Sequence, residues 1–108
     1  MKYLMLIRDM PNDPTPGDDP SAWVAETTAR GVRLFGERLR PDEDATTVRV
    51  VDGEMLVTDG PFAEVREHIG GFDLIEVDSH EEAVAVAAAH PSARTGAVEL
   101  RPLWPFDS

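Results

Sequence analysis

Apolar and polar positions change their spacing several times along the chain. Tyr3 to Ile7 is an unbroken apolar run, the pattern of a central strand covered on both faces. Residues Pro11 to Asp19 then hold three prolines, a glycine and three aspartates, which predicts an exposed loop. At Asp19 the spacing turns helical. Asp19 can cap, Pro20 suits the first turn, and Trp23, Val24, Thr27 and Thr28 recur towards Arg30, with Gly31 placed as a left-handed stop. Val32 to Leu39 reads as a second strand, with Val32, Leu34 and Gly36 on one face and Arg33, Phe35 and Glu37 on the other. A helix continuing past Gly31 is the rival reading.

Thr46 to Val51 and Glu54 to Thr58 are rich in β-branched residues and flank Asp52-Gly53, a strong hairpin signal. The hairpin leads into Thr58-Asp59-Gly60-Pro61-Phe62-Ala63-Glu64, where Gly60 before Pro61 demands a non-helical bend. Ala63 to Ile69 is expected to form one irregular helical turn. Gly70-Gly71 then releases the chain into a strand, Phe72 to Val77. Ser79-His80-Glu81-Glu82 is a capping box that opens a helix reaching about His90, where Pro91 stops it. After a polar turn ending at Gly96, Ala97 to Arg101 alternates, with Val98 and Leu100 inward, Glu99 and Arg101 outward, and Pro102 suited to a sheet edge.

Without the inserted hairpin this order is an α+β, ferredoxin-like split βαβ fold, with both helices on one face of an antiparallel sheet. The other face is left bare, yet the first strand sends Leu4 and Leu6 to one side and Tyr3, Met5 and Ile7 to the other. A homodimer through the bare face is the natural resolution, with Trp104 and Phe106 as further contacts.

A chain of 108 residues predicts one domain spanning 1–108. The net charge of -11 argues against nucleic acid and acidic membrane surfaces as partners, because phosphate neutralisation needs basic clusters that are lacking here. Cysteine is absent, which rules out disulfides, thiolate metal sites and a cysteine nucleophile. The N-terminal apolar run meets Arg8 and Asp9 too soon for a secretory leader or a membrane span, so the expected location is cytoplasmic.

Candidate chemistry gathers at the Gly60 turn. Asp59 suits an Asx-type turn somewhat better than a catalytic base, and either role lets it line a pocket. Glu64 and Glu67, three apart, would share a proton or a cation only if they converge, and a solvated face is the commoner outcome. Phe62 reads as a core anchor. His68, beside the turn, is the histidine best placed for proton transfer, whereas His80 and His90 fall at the ends of the capped helix. The acidic run Asp42-Glu43-Asp44 lacks a calcium loop's spacing, the histidines lack zinc spacing, and no phosphate loop is present, so neither metal nor cofactor is expected. Arg33, Arg49 and Arg101 fall at strand positions from which they could reach the bare face. There they would pair with Glu37 or Glu99, or with a small acidic ligand.

The opening strand, Thr46-Thr47-Val48-Arg49-Val50, the Asp59-Gly60-Pro61-Phe62 turn, Glu67, Gly70-Gly71-Phe72, Glu82-Ala83 and Val98-Glu99-Leu100-Arg101-Pro102 together resemble the YCII-related proteins, in the branch named for its DGPF motif. The resemblance implies a dimeric α/β-barrel of ferredoxin-like subunits, no general activity, and frequent encoding near extracytoplasmic-function sigma factors, hence a stress-linked role. In the wider superfamily, which includes lactone isomerases and a dehydrochlorinase, it implies a histidine and aspartate acid/base pair. This chain departs from that pattern, since the first helix contains no histidine and only Asp59 remains as a counterpart. The sequence thus favours a homodimeric small-ligand-binding or interaction domain with a pocket from Arg49, Asp59, Gly60, Pro61, Phe62, Glu64, Glu67 and Arg101. The alternative is an enzyme in which Asp59, with His68, moves a proton on a small organic acid or lactone.

Overall fold

The apolar run at the N-terminus becomes the strand around which the sheet is built. A computed structural model describes residues 1–9, 19–62 and 68–107. Its elements are β1 (Lys2–Asp9), α1 (Ser21–Ala29), β2 (Arg33–Arg38), β3 (Thr46–Val51), β4 (Glu54–Asp59), β5 (His68–Glu76), α2 (His80–Ala88), α3 (Ser92–Thr95) and β6 (Ala97–Pro102). Four strands form an antiparallel sheet in the order β2-β5-β1-β6, and β3 and β4 form a separate two-stranded sheet. With that hairpin set aside, the order is that of the ferredoxin-like α+β fold expected from the sequence.

Pleating sends alternate residues of β1 and β5 to opposite sides, and the helix-facing set makes the core. Tyr3, Met5 and Ile7 from β1 pack with Ile75, Val77 and Val32 under Trp23 of α1 and Ala83, Val86 and Ala87 of α2. The Trp23 indole N–H donates to the Val86 carbonyl at 3.0 Å, which ties the two helices together while satisfying a buried donor. Gly31 ends α1 at φ 71°, where the Val32 N–H reaches the Thr27 carbonyl at 2.9 Å.

Half of the expected capping box forms at α2, because the Glu82 side chain reaches past the Ser79 cap to the residue before it. Ser79 Oγ accepts from the Glu82 N–H at 3.1 Å, and the Glu82 carboxylate accepts the Asp78 N–H at 3.0 Å. Replacing Ser79 with Ala leaves a helix-end donor without its partner and is expected to cost about 1 kcal/mol, read as a lowered urea midpoint with unchanged slope.

Three expectations need correction. First, β2 does not alternate strictly. Its register slips between Arg33 and Phe35, so Leu34 is an extra residue, and Arg33 and Gly36 share the helix-facing side while Phe35 turns to the open side. Second, His68 and Ile69 are strand rather than helical turn, because they continue the β1 ladder. The rest of that expected turn, 63–67, lies outside the described residues, as does most of the loop from Pro11 to Asp19. Third, a short helix, α3, occupies the expected polar turn.

No described helix covers the other side of the sheet. Leu4, Leu6, Phe72 and Leu74 are half-buried there, and Phe35 is exposed beside Phe72 with ring centroids 5.9 Å apart. Around them lie the ion pairs Lys2–Glu76, Arg8–Glu99 and Arg101–Glu99. No described helix is long and apolar enough to cross a membrane.

Candidate functional site

The hairpin delivers the Gly60 turn as the sequence expects, but it is held differently. Asp52 and Gly53 take positive φ (51° and 81°), the left-handed pair that a tight two-residue hairpin needs. At the other end Gly60 sits at φ 94°, its N–H donating to the Ala45 carbonyl at 2.7 Å and its carbonyl accepting from Thr47 Oγ1 at 2.8 Å. The partner strand therefore fixes the turn. Asp59 is exposed, and its carboxylate makes no hydrogen bond or ion pair among the described residues. Phe62 is not the expected core anchor. It is 52 % exposed, with the Arg49 guanidinium 5.6 Å from its ring centroid.

His68 has gained a carboxylate, with Nδ1 2.7 Å from Asp42 Oδ1 at the rim of a hollow of about 390 Å³. Leu39, Pro41, Ala45, Pro61 and Ile69 line that hollow. Thus Pro61 lines the same hollow as Asp42, the partner of His68, and Arg49 meets Phe62. Arg101 is elsewhere, on β6 of the main sheet, paired with Glu99 at 2.9 Å. Arg101 and then Arg8 hold the Glu99 carboxyl below the ordinary carboxylate range by hydrogen bonding. Glu64 and Glu67 lie outside the described residues. No group of three or more histidines and acids that could hold a metal occurs among the described residues.

A better-formed site lies on the helix side of the main sheet. A cleft of about 510 Å³ opens between the start of α1, β2 and β5, with Asp73, Arg33, Gly36, Gly71 and His90 in its wall. The β2 bulge turns Arg33 inward, the reverse of the open-face position considered from the sequence. Its Nε donates to Asp73 Oδ1 at 2.7 Å and its Nη2 to the Gly36 carbonyl at 2.9 Å. A Cβ on Gly36 would overlap both Asp73 Oδ1 and that guanidinium. Glycine is therefore what lets the pair close.

Asp73 is only 6 % exposed. Burial pushes its carboxyl above the ordinary range, and the Arg33 hydrogen bond and charge only partly offset this. Its second oxygen makes no hydrogen bond among the described residues, and it is not sealed from solvent. That oxygen opens on the cleft and can accept from a hydroxyl or, when protonated, donate. His90, just past the end of α2, is buried. Its Nδ1 accepts the Ser92 N–H at 3.0 Å and its ring stands edge-on to Trp23 with centroids 4.7 Å apart. At the mouth, the Ser21 hydroxyl and N–H hold the Asp19 carboxyl below its ordinary range.

The chain's similarities agree with this architecture. A family model for the YCII-related domain matches residues 1–107. A protein of Rhizobium meliloti (strain 1021), described only as uncharacterized, is 47 % identical over 70 residues, which is 61 % of this chain and 55 % of that protein. The match thus spans little more than half of that relative's length. The structure of a 5-chloro-2-hydroxyhydroquinone dehydrochlorinase from Burkholderia phenoliruptrix AC1100, in complex with 2,5-dihydroxybenzoquinone, superposes with a TM-score of 0.56 over 99 % of this chain and 97 % of that one. At 15 % identity the likeness is one of fold.

Proposed function

This chain belongs to the YCII-related family, and we propose that within it, in the branch carrying the DGPF turn, it is a homodimeric small-ligand-binding domain. The ligand is a small hydroxylated organic molecule seated in the cleft on Asp73. One observation carries this reading: a buried carboxyl, locked on one oxygen by Arg33, presents its other oxygen to the cleft. A buried group with a shifted pKa in a concavity marks a binding or reacting centre more often than a surface pair does. The dihydroxybenzoquinone held by the dehydrochlorinase sets the scale of the probe. The dimer forms through the open sheet face, where no described helix covers Leu4, Leu6, Phe72, Leu74 and Phe35, and Trp104 and Phe106 in the exposed tail add to it.

The shifted carboxyl also favours a second reading, an enzyme in which the acid/base role assigned from the sequence to Asp59 falls to Asp73. Titration with 2,5-dihydroxybenzoquinone, followed by amide chemical shifts, separates these cases. Expected are shifts at Gly36, Gly71 and Asp73, and a loss of affinity of roughly tenfold or more in Asp73→Asn, whose amide cannot offer an anionic acceptor. Shifts confined to the Gly60 turn, or affinity untouched in Asp73→Asn, would overturn the cleft reading. Faster exchange of the probe's ring protons for solvent deuterium in wild type than in Asp73→Asn would establish catalysis of proton transfer.

A further inference from the structure

Four neighbouring positions of β2 and β5 make the floor of the Asp73 cleft. Gly36 stands opposite Asp73 and Arg38 opposite Gly71, and the two pairs follow each other on the helix-facing side of the sheet. One diagonal of this square is therefore bare backbone, and the other holds two charged side chains. Gly71 is glycine because the strands run close, since a Cβ there would lie 2.9 Å from the Glu37 carbonyl oxygen and 3.4 Å from the Arg38 Cα. Pro20 and Val24 line the same cleft from the start of α1. An apolar wall over a flat floor suits a ring.

Charge on an edge strand is common and by itself says nothing. Arg38 is set apart because the cleft's other charged groups are already committed. Arg33 is spent on Asp73 and the Gly36 carbonyl, and Asp19 on Ser21. Glu37 stands opposite Phe72 and so belongs to the open face. The Arg38 guanidinium makes no hydrogen bond or ion pair among the described residues. Deepening the reading of the cleft on which it rests, we infer that the ligand is a hydroxylated aromatic carboxylate, lying on Gly36 and Gly71 with a hydroxyl on Asp73 and its carboxylate on Arg38. Diagonal neighbours on an antiparallel pair are about 7–8 Å apart at the backbone, and one six-membered ring with a substituent at each end bridges them. A guanidinium holds a carboxylate through two parallel N–H donors. The site also fixes which end goes where, since an ionised Asp73 repels a carboxylate and accepts from a hydroxyl. In a chain with a net charge of -11, an anionic ligand needs such a local cation.

Titration with 2,5-dihydroxybenzoate and with 2,5-dihydroxybenzamide, which keeps the ring and hydroxyls without the charge, tests this by amide chemical shifts. Both probes should move the Gly36, Gly71 and Asp73 signals, and wild type should bind the benzoate roughly tenfold or more tightly than the benzamide. Arg38→Met should abolish that preference while leaving the benzamide affinity and the urea midpoint unchanged. Arg38→Lys, which keeps the charge but not the fork, should retain part of it. Should the methionine variant not fold, Arg38→Gln carries the same expectation. Equal affinities in wild type, or a preference that survives in Arg38→Met, would overturn the carboxylate and leave the cleft standing. If neither probe moves those three signals, the cleft reading falls and this inference falls with it.

Discussion

Replacing Arg33 with Met should cost about 3 kcal/mol of folding stability at pH 7, because it strands a buried carboxylate. Asp73 has a side chain 8 % exposed, and Arg33 at 2.7 Å is its ion-pair partner. Methionine keeps the aliphatic stem but offers nothing to the carboxylate. In a domain of this size a loss of that order lowers Tm by roughly 10–20 °C. The deficit should depend on pH with a definite sign. The folded carboxyl already lies above its unfolded value of 3.8 because of burial, so the folded state holds that proton more tightly. Its contribution to stability is present below pH 3.8 and is lost as pH rises through the folded pKa. Removing Arg33 raises that folded pKa further. The penalty in Arg33→Met must therefore shrink as the solution is acidified, and Asp73→Asn must erase most of the difference in a double-mutant cycle. Urea unfolding at pH 7 and pH 4 measures both. An equal loss at the two values would mean that packing, not the charge, is what Arg33 supplies.

Gly36→Ala is expected to cost about 2–3 kcal/mol, the range for forcing atoms into a filled site. The added carbon would meet Asp73 Oδ1, the Arg33 guanidinium and the Phe72 carbonyl at once. The Phe72 carbonyl is backbone of the central part of the sheet and cannot swing aside. The ion pair must therefore open or β2 must lift from β5. Either response also deforms the cleft, so binding of the dihydroxybenzoquinone probe should fall together with the urea midpoint. Wild-type stability in this variant would show that the Arg33 and Asp73 pair relaxes freely, and the cleft would then not be the rigid site proposed.

Most of the fold was legible because its signals are local. The capping box at Ser79, the stop at Gly31 and the turn at Asp52-Gly53 each involve a few neighbouring residues, and each sits where its chemistry required. Element order then left little choice of topology. The cleft was harder, since it depends on a bulge. Nothing in Arg33-Leu34-Phe35-Gly36 announces that Leu34 is extra, and without that slip Arg33 appears to face away from the helices. A signal was nonetheless present. In Phe72-Asp73-Leu74-Ile75, Asp73 falls in phase with Ile75 and Val77, the core side of the strand. An acid on that side needs a buried cation, and Arg33 was the strand arginine able to supply it. The Gly60 turn carries the louder signal, because acids crowd together there in sequence, but Asp59 stands exposed.

The separation of the hairpin from the core has a consequence for inheritance. Among the described residues those of β3 and β4 answer to few side chains outside the hairpin, so substitutions there disturb the packing of the main sheet little. Lineages can rewrite the hairpin while keeping the Arg33 and Asp73 cleft untouched. Two copies of such a gene could thus drift apart in the hairpin long before either lost its cleft.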